Sequence, residues 1–97
     1  DKGDQGDQGP AGPTGVVSFY TATDADTASG NLLNPTTVNL YAQCNAGDFV
    51  VGGGFKVEDA GWVTNNSPSG NGWVVSAEVA GANTTVTAYA MCADTTP

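Results

Sequence analysis

The sequence contains no histidine and no arginine, and its only basic residues are Lys2 and Lys56. Without histidine there is no serine–histidine–aspartate triad, and without arginine there is no bidentate clamp for a phosphate or carboxylate group. Ten acidic residues give a formal net charge of −8. This charge argues against binding to nucleic acid, anionic membranes and sulfated polysaccharides, because those ligands need a basic surface. The composition therefore predicts a protein that is not an enzyme and needs no cofactor.

Long apolar runs are absent as well. No stretch approaches the ~20 apolar residues of a membrane-spanning helix, so no membrane insertion is expected. The chain does not begin with methionine and carries no signal peptide, so we expect any targeting segment to lie upstream. Two cysteines without histidine cannot supply the ligands of a structural zinc site. A carboxylate pair for glycoside cleavage is left open, although no spacing supports one.

What the sequence does contain is a regular repeat in residues 1–15, where every third residue is a glycine: Gly3, Gly6, Gly9, Gly12 and Gly15. Two prolines, Pro10 and Pro13, directly follow a glycine. This pattern is typical of the collagen triple helix, in which three polyproline-II-like chains wind around an axis that admits only glycine. The alternative is a disordered Gly/Pro-rich linker. The first interpretation predicts a homotrimer, with residues 1–15 as the end of a longer collagen-like stalk and residues 16–97 as a head domain.

Residues 16–97 show no helical periodicity, and short apolar or alternating segments recur between turn signals. The predicted strands are residues 16–20, 38–44, 49–57, 62–64, 73–79 and 84–93. Residues 21–37 are polar and are predicted to form a long loop with a short strand at 31–33. The predicted turns are residues 45–48, 59–61, 65–72 and 80–83. This spacing predicts an all-β head, either a small antiparallel sandwich or a barrel-like fold.

The two cysteines, Cys44 and Cys92, each fall on the apolar face of a predicted strand. We predict a disulfide between them, which would link the two strands and indicate an oxidising, extracellular setting. The alternative is two buried free thiols in a cytosolic protein.

Three consecutive glycines occupy residues 52–54 in the middle of a predicted strand. They lack the lysine and the strand-to-helix context of a phosphate-binding loop. We expect instead a strip without side chains, against which an indole or a neighbouring subunit can pack. Trp62 or Trp73 is the natural partner, and both tryptophans are assigned to the core.

Two further groups are candidate binding residues. Asp24 and Asp26 lie in the predicted loop, where carboxylate oxygens could hold calcium, although an exposed acidic loop is the favoured interpretation. The tyrosines Tyr20, Tyr41 and Tyr89 could stack on a ligand or pack against the next subunit. For Tyr41 and Tyr89, which oppose the apolar face of their strands, packing against a subunit is favoured.

The order of a Gly-X-Y repeat and a short β-rich domain resembles bacterial and bacteriophage collagen-like proteins. The segments GDFVVGGGF, SPSGNGW and VTAYAMCA, at residues 47–55, 67–73 and 86–93, look like a head module of such chains. The resemblance implies a structural role at a cell surface or on a phage tail fibre, in which the head holds three chains in register. The alternative is an adhesin tip that binds a cell-surface receptor or a glycan.

Overall fold

The computed structural model describes residues 18–95, so the predicted stalk at residues 1–15 lies outside the described part of the chain. The described residues form six strands. They are β1 (Ser18–Ala28), β2 (Thr36–Gln43), β3 (Phe49–Val57), β4 (Gly61–Ser69), β5 (Gly72–Val79) and β6 (Thr84–Asp94). This region contains no helix that is long and apolar enough to cross a membrane.

The strands form two antiparallel sheets of three strands each. Sheet I has the order β1-β6-β3, and sheet II has the order β2-β5-β4. The inner faces of both sheets contribute to a single core, so the predicted all-β antiparallel sandwich is confirmed. The central strands β6 and β5 alternate buried and partly exposed residues, as expected for strands with one face in the core.

The core is built from small side chains. Its buried members are Val38, Leu40, Ala42, Cys44, Val75, Ala77, Val79, Val86, Ala88, Ala90 and Cys92. Valines are the largest side chains among those that are fully buried, and no aromatic ring is among them. Because a Val side chain contributes less than a Leu or Phe when buried, this core needs the additional stabilisation of a covalent link.

Strand β1 corrects the prediction of a loop over residues 21–37. Its first three residues, 18–20, fall within the predicted strand at 16–20, but the strand continues to Ala28 through residues predicted to be a loop. The segment from Thr21 to Ala28 was misassigned because its inward positions are alanine and aspartate, so apolar alternation is weak. Threonines occupy the outward positions Thr21, Thr23 and Thr27, where β-branched side chains favour a strand.

The predicted short strand at residues 31–33 was wrong. This segment is a turn in which the side-chain oxygen of Asn31 accepts hydrogen bonds from the backbone N–H groups of Leu33, at 3.0 Å, and Asn34, at 2.9 Å. An asparagine side chain that captures nearby N–H groups competes with strand pairing.

Strand β4 corrects the prediction of a turn over residues 65–72. The strand continues to Ser69, and only Gly70 and Asn71 separate it from β5. Pro68 is accommodated because β4 lies at the edge of sheet II, where a missing N–H removes no ladder bond. A bulge between Val63 and Asn65 shifts the register of the strand.

The sandwich has two distinct ends. The end at Ser18, called the proximal end, also carries the loop at residues 44–48 and the turn at residues 70–71. The opposite, distal end carries the loops at residues 29–35, 58–60 and 80–83. Backbone hydrogen bonds of 3.0 Å join these distal loops, from Gly30 N–H to Gly81 O and from Ala80 N–H to Ala60 O. Both ends are therefore held by bonds between loops as well as by the sheets.

Candidate functional site

The outer face of sheet I, called face I, is the surface of β1, β6 and β3 that points away from the core. Strand pairing aligns its side chains in rows across the three strands. The row at the proximal end consists of Phe19, Ala93 and Phe49. The next row has Met91 between Thr21 and Gly52, and the third has Tyr89 between Thr23 and Gly54. The two edge strands of face I thus differ, because β1 carries threonines where β3 carries glycines.

Face I is almost uncharged, with its apolar side chains concentrated at the proximal end and threonine hydroxyl groups toward the distal end. The exposed fractions are 65% for Phe19, 62% for Phe49 and 41% for Met91. Residues 18–95 contain seven acidic residues, yet no outward position in the paired stretches of β1, β3 and β6 carries one. The one basic group on this face is Lys56 near the distal end, which forms a 3.3 Å ion pair with Glu58. Exposed aromatic and thioether groups without acidic neighbours make this face a candidate interaction surface.

The outer face of sheet II, called face II, has a different chemistry. Most of its side chains carry hydroxyl, amide or carboxylate groups: Thr37, Asn39, Gln43, Asn65, Ser67, Ser69, Ser76 and Glu78. Several are bonded to each other, as in the 2.8 Å hydrogen bond from Ser76 Oγ to Asn39 Oδ1. Trp62 is exposed on this face by 46%, so its assignment to the core was wrong. The exposure of Trp62 was not predicted, because β4 is longer than predicted and turns this side chain outward.

The three candidate tyrosines lie in three different places. Tyr89 is on face I and Tyr41 is on face II, where its hydroxyl donates a 3.0 Å hydrogen bond to Ser69 O. Tyr20 points inward at the proximal end and packs against the core. The structure therefore does not bring the tyrosines together into one binding site.

The Tyr20 hydroxyl is the centre of a polar network at the proximal end. It donates a 2.6 Å hydrogen bond to Asp48 Oδ2 and accepts a 2.8 Å hydrogen bond from Asn45 N–H. Asp48 is 5% exposed, and its other carboxylate oxygen accepts a 3.3 Å hydrogen bond from Thr95 N–H. Burial and the bond to Asp48 raise the pKa of Tyr20 above its ordinary value of 10.0. This network ties β1 to the loop at residues 44–48 and to the end of the chain.

The prediction that the glycine run receives an indole is confirmed for Gly53 and Trp73. A side chain at Gly53 would overlap the ring of Trp73, whereas Gly54 faces open space. Trp73 donates a 2.5 Å hydrogen bond from Nε1 to Asn66 Oδ1. The indole therefore bridges sheet II and strand β3 of sheet I.

The predicted disulfide between Cys44 and Cys92 is present, with Cα atoms 5.7 Å apart. Cys92 lies on the central strand of sheet I, and Cys44 directly follows β2 of sheet II. Their exposed fractions are 0% and 4%, respectively. The bond thus connects the two sheets from inside the core, and a disulfide of this kind is typical of an oxidising environment.

The calcium candidates Asp24 and Asp26 lie on strand β1 instead of in a loop. Asp24 Oδ2 accepts a 3.0 Å hydrogen bond from Tyr41 N–H, which links the edge strands of the two sheets. Asp26 Oδ1 accepts a 2.9 Å hydrogen bond from Thr27 N–H. Within residues 18–95, no group of three or more acidic, cysteine or histidine residues could hold a metal ion.

Leu32 and Leu33 are the most exposed large apolar side chains of the described region, at 79% and 90%. They lie at the distal end, on the turn that Asn31 holds. Sequence reasoning gave them no role, although two leucines inside a polar segment were a visible signal. Strand β1 places them about 33 Å from Ser18, at ~3.3 Å per residue.

No pocket is found among residues 18–95, so the surfaces available for binding are the two sheet faces and the loops. No protein-family model, curated protein or solved structure matches the chain.

Proposed function

We propose that residues 16–97 are a homotrimerisation domain that holds three collagen-like chains in register at a cell surface or on a phage tail fibre. The observation that carries the proposal is the exposed apolar cluster at the proximal end of face I, a face without acidic side chains in a chain whose net charge is −8. Such a surface is stable in water when another protein surface covers it.

The position of face I supports a second copy of the chain as the cover. The repeat at residues 1–15 predicts three chains side by side, and β1 begins at Ser18, three residues after Gly15. The proximal row of face I includes Phe19, so the exposed aromatic group lies next to the point where the three chains meet. Fifteen residues of repeat form a short triple helix, and the head supplies the contacts that keep the chains aligned.

The experiment uses the full chain and measures its mass in solution by light scattering, together with the circular dichroism of the triple helix. Wild-type protein is expected to have three times the mass of one chain. Gly9→Ala should abolish the triple-helix signal, because only glycine fits at the axis, and should leave the mass unchanged. A monomeric wild type, or a Gly9→Ala variant that is monomeric, would contradict the proposal.

A second candidate function is an adhesin tip, which the distal leucine pair favours. A trimer would present three copies of Leu32 and Leu33 at the end away from the stalk, where a receptor is reached first, and repeated sites raise avidity. If the ligand is a glycan, face II with its exposed Trp62 is the candidate binding surface, since an indole offers a flat apolar contact beside polar groups.

A glycan array separates these two surfaces. If face II binds a glycan, Trp62→Ala should lose the signal and a chain carrying Leu32→Ser and Leu33→Ser should keep it. If the wild-type trimer binds no glycan on the array, the proposal that the adhesin tip binds carbohydrate is wrong.

A further inference from the structure

We infer that three copies of the chain meet through face I, with the central strand β6 of each copy turned toward a common axis. This inference rests on the proposed function and specifies the surface, the strand order around the axis and the residues at the centre of the contact.

The dimensions of sheet I suit this arrangement. Neighbouring strands lie ~4.8 Å apart, so three strands make a sheet about 14 Å wide. Three such sheets, arranged as the sides of a triangle, place each sheet centre about 4 Å from the axis. Two sheets that pack face to face are ~10 Å apart, or about 5 Å on either side of the contact. A fully closed triangle would therefore be slightly too narrow, so the three sheets must lie about 1 Å farther from the axis, and at that distance the side chains of face I leave no channel.

The side chains on β6 match their expected positions. Met91 and Tyr89 project from the central strand, where the distance to the axis is smallest. Met91 is 41% exposed in one copy, and a flexible thioether adapts to a crowded apolar contact. Thr85 and Thr87 continue the outward side of β6 toward the distal end without a charge. Three copies can therefore approach along β6 with no acidic side chain between them, and Lys56, which lies in the row of Thr87 on the edge strand, is paired with Glu58.

The edge strands supply the two different patches that a cyclic trimer needs. In a cyclic trimer, one edge of each sheet contacts the other edge of the next sheet, so the two contacting patches are different. Strand β1 forms one edge of sheet I and β3 forms the other. Phe19 on β1 lies in the same row as Phe49 on β3, so rotation about the axis brings Phe19 next to the partner's Phe49. Both aromatic rings are thereby covered at the end that joins the stalk.

Face II, on the opposite side of the sandwich, is unsuited to line the trimer axis. Face II carries polar side chains that bond to each other, including the 2.8 Å bond from Thr37 Oγ1 to Glu78 Oε2. Burying face II at the axis would place three copies of Glu78 close together, at an energetic cost from desolvation and repulsion. The contrast between the two faces provides a matched control for the experiment.

The test compares Met91→Glu on face I with Val74→Glu on face II, both in the full chain. Val74 is the outward residue of the central strand β5 and is partly exposed, so each variant adds one carboxylate to the centre of one face. Sedimentation equilibrium over a range of concentrations gives the dissociation constant. Met91→Glu should weaken trimer formation by at least 100-fold (~2.7 kcal/mol), and Val74→Glu by less than about threefold. Circular dichroism of the dissociated Met91→Glu chain should retain the strand signal.

A second measurement needs no substitution. Met91 is the only methionine of the chain, so its oxidation by peroxide can be followed by mass spectrometry. Oxidation should be slow in the trimer and faster after dilution to single chains. Two results together would show that this inference is wrong: Met91→Glu is as trimeric as the wild type, and Met91 of the wild type is oxidised at the same rate at all concentrations. If the wild type is nevertheless trimeric, the proposed function survives. A wild type that forms only dimers or monomers overturns both.

Discussion

Replacing Gly53 by alanine should destabilise the head far more than the same change at the adjacent Gly54. The new methyl group at Gly53 would overlap the Trp73 indole and would lie 2.6 Å from the backbone oxygen of Tyr89. That oxygen belongs to strand β6, which is paired with β3. Accommodation therefore requires the indole to move and the strand pairing to distort.

The magnitude follows from these two adjustments. Forcing an extra carbon into a packed contact costs about 1–3 kcal/mol, and losing the hydrogen bond from Trp73 to Asn66 adds about 1 kcal/mol. Alanine is a better strand residue than glycine by about 0.5–1 kcal/mol, which offsets part of the loss. The expected net loss in the free energy of unfolding is about 1–3.5 kcal/mol, which lowers the melting temperature by roughly 5–25 °C in a domain of this size.

The assay is urea unfolding followed by tryptophan fluorescence at one chain concentration. Gly54→Ala is the matched control, because its methyl group would meet no atom within 4 Å. Its free energy of unfolding should be unchanged or slightly higher. The solution mass of both variants is measured in parallel, so that changes in association are separated from changes in folding. Equal stability of the two variants would refute the contact between the glycine strip and the indole.

Three further predictions concern the other stabilising features. Replacing both Cys44 and Cys92 by alanine should lower the free energy of unfolding by about 4 kcal/mol, which is the chain-entropy value for a loop of ~49 residues. A loss below ~1 kcal/mol in urea titrations would contradict this stabilising role of the disulfide. Because the folded pKa of Tyr20 is raised, its contribution to stability is complete below pH 10.0 and is lost as the pH rises through the folded pKa. Tyr20→Phe should remove this part of the alkaline decline, and an unchanged profile of unfolding free energy against pH would disprove the assignment. Asn31→Ala should accelerate amide hydrogen exchange at Leu33 and Asn34 with little change in global stability, whereas unaltered exchange would show that the turn does not depend on Asn31.

The part of the fold that could be predicted is the part in which apolar, β-branched or aromatic residues stand between clear turn signals. Strand β3 has the predicted bounds of residues 49–57, and β5 and β6 differ from prediction by one residue. The second half of strand β1 was missed because Asp24 and Asp26 stand where apolar residues are expected. The second half of strand β4 was missed because Pro68 is a common turn signal that a sheet edge also accepts, and edge position depends on the pairing of distant strands.

The candidate site was less predictable for a related reason. Face I combines residues from β1, β3 and β6, which are far apart in the sequence, and its lack of acidic groups becomes visible only when the strands are placed side by side. The disulfide was predictable because each cysteine lies on the apolar side of its own strand. The exposure of Trp62 could not be predicted, since this exposure depends on where β4 begins and on the bulge in β4.

The position of the disulfide also determines how the head responds to tension. A pull on the proposed stalk would enter the described strands at Ser18 and act along β1, whose pairs with β6 extend from Ser18 to Ala28. If the distal end is attached to another surface, these hydrogen bonds are strained in shear and must break together. Once β1 has detached, tension that passes through β2 reaches Cys44. The disulfide joins Cys44 to Cys92 across a separation of 48 residues, so tension that enters at Cys44 and leaves at Cys92 bypasses strands β3, β4 and β5.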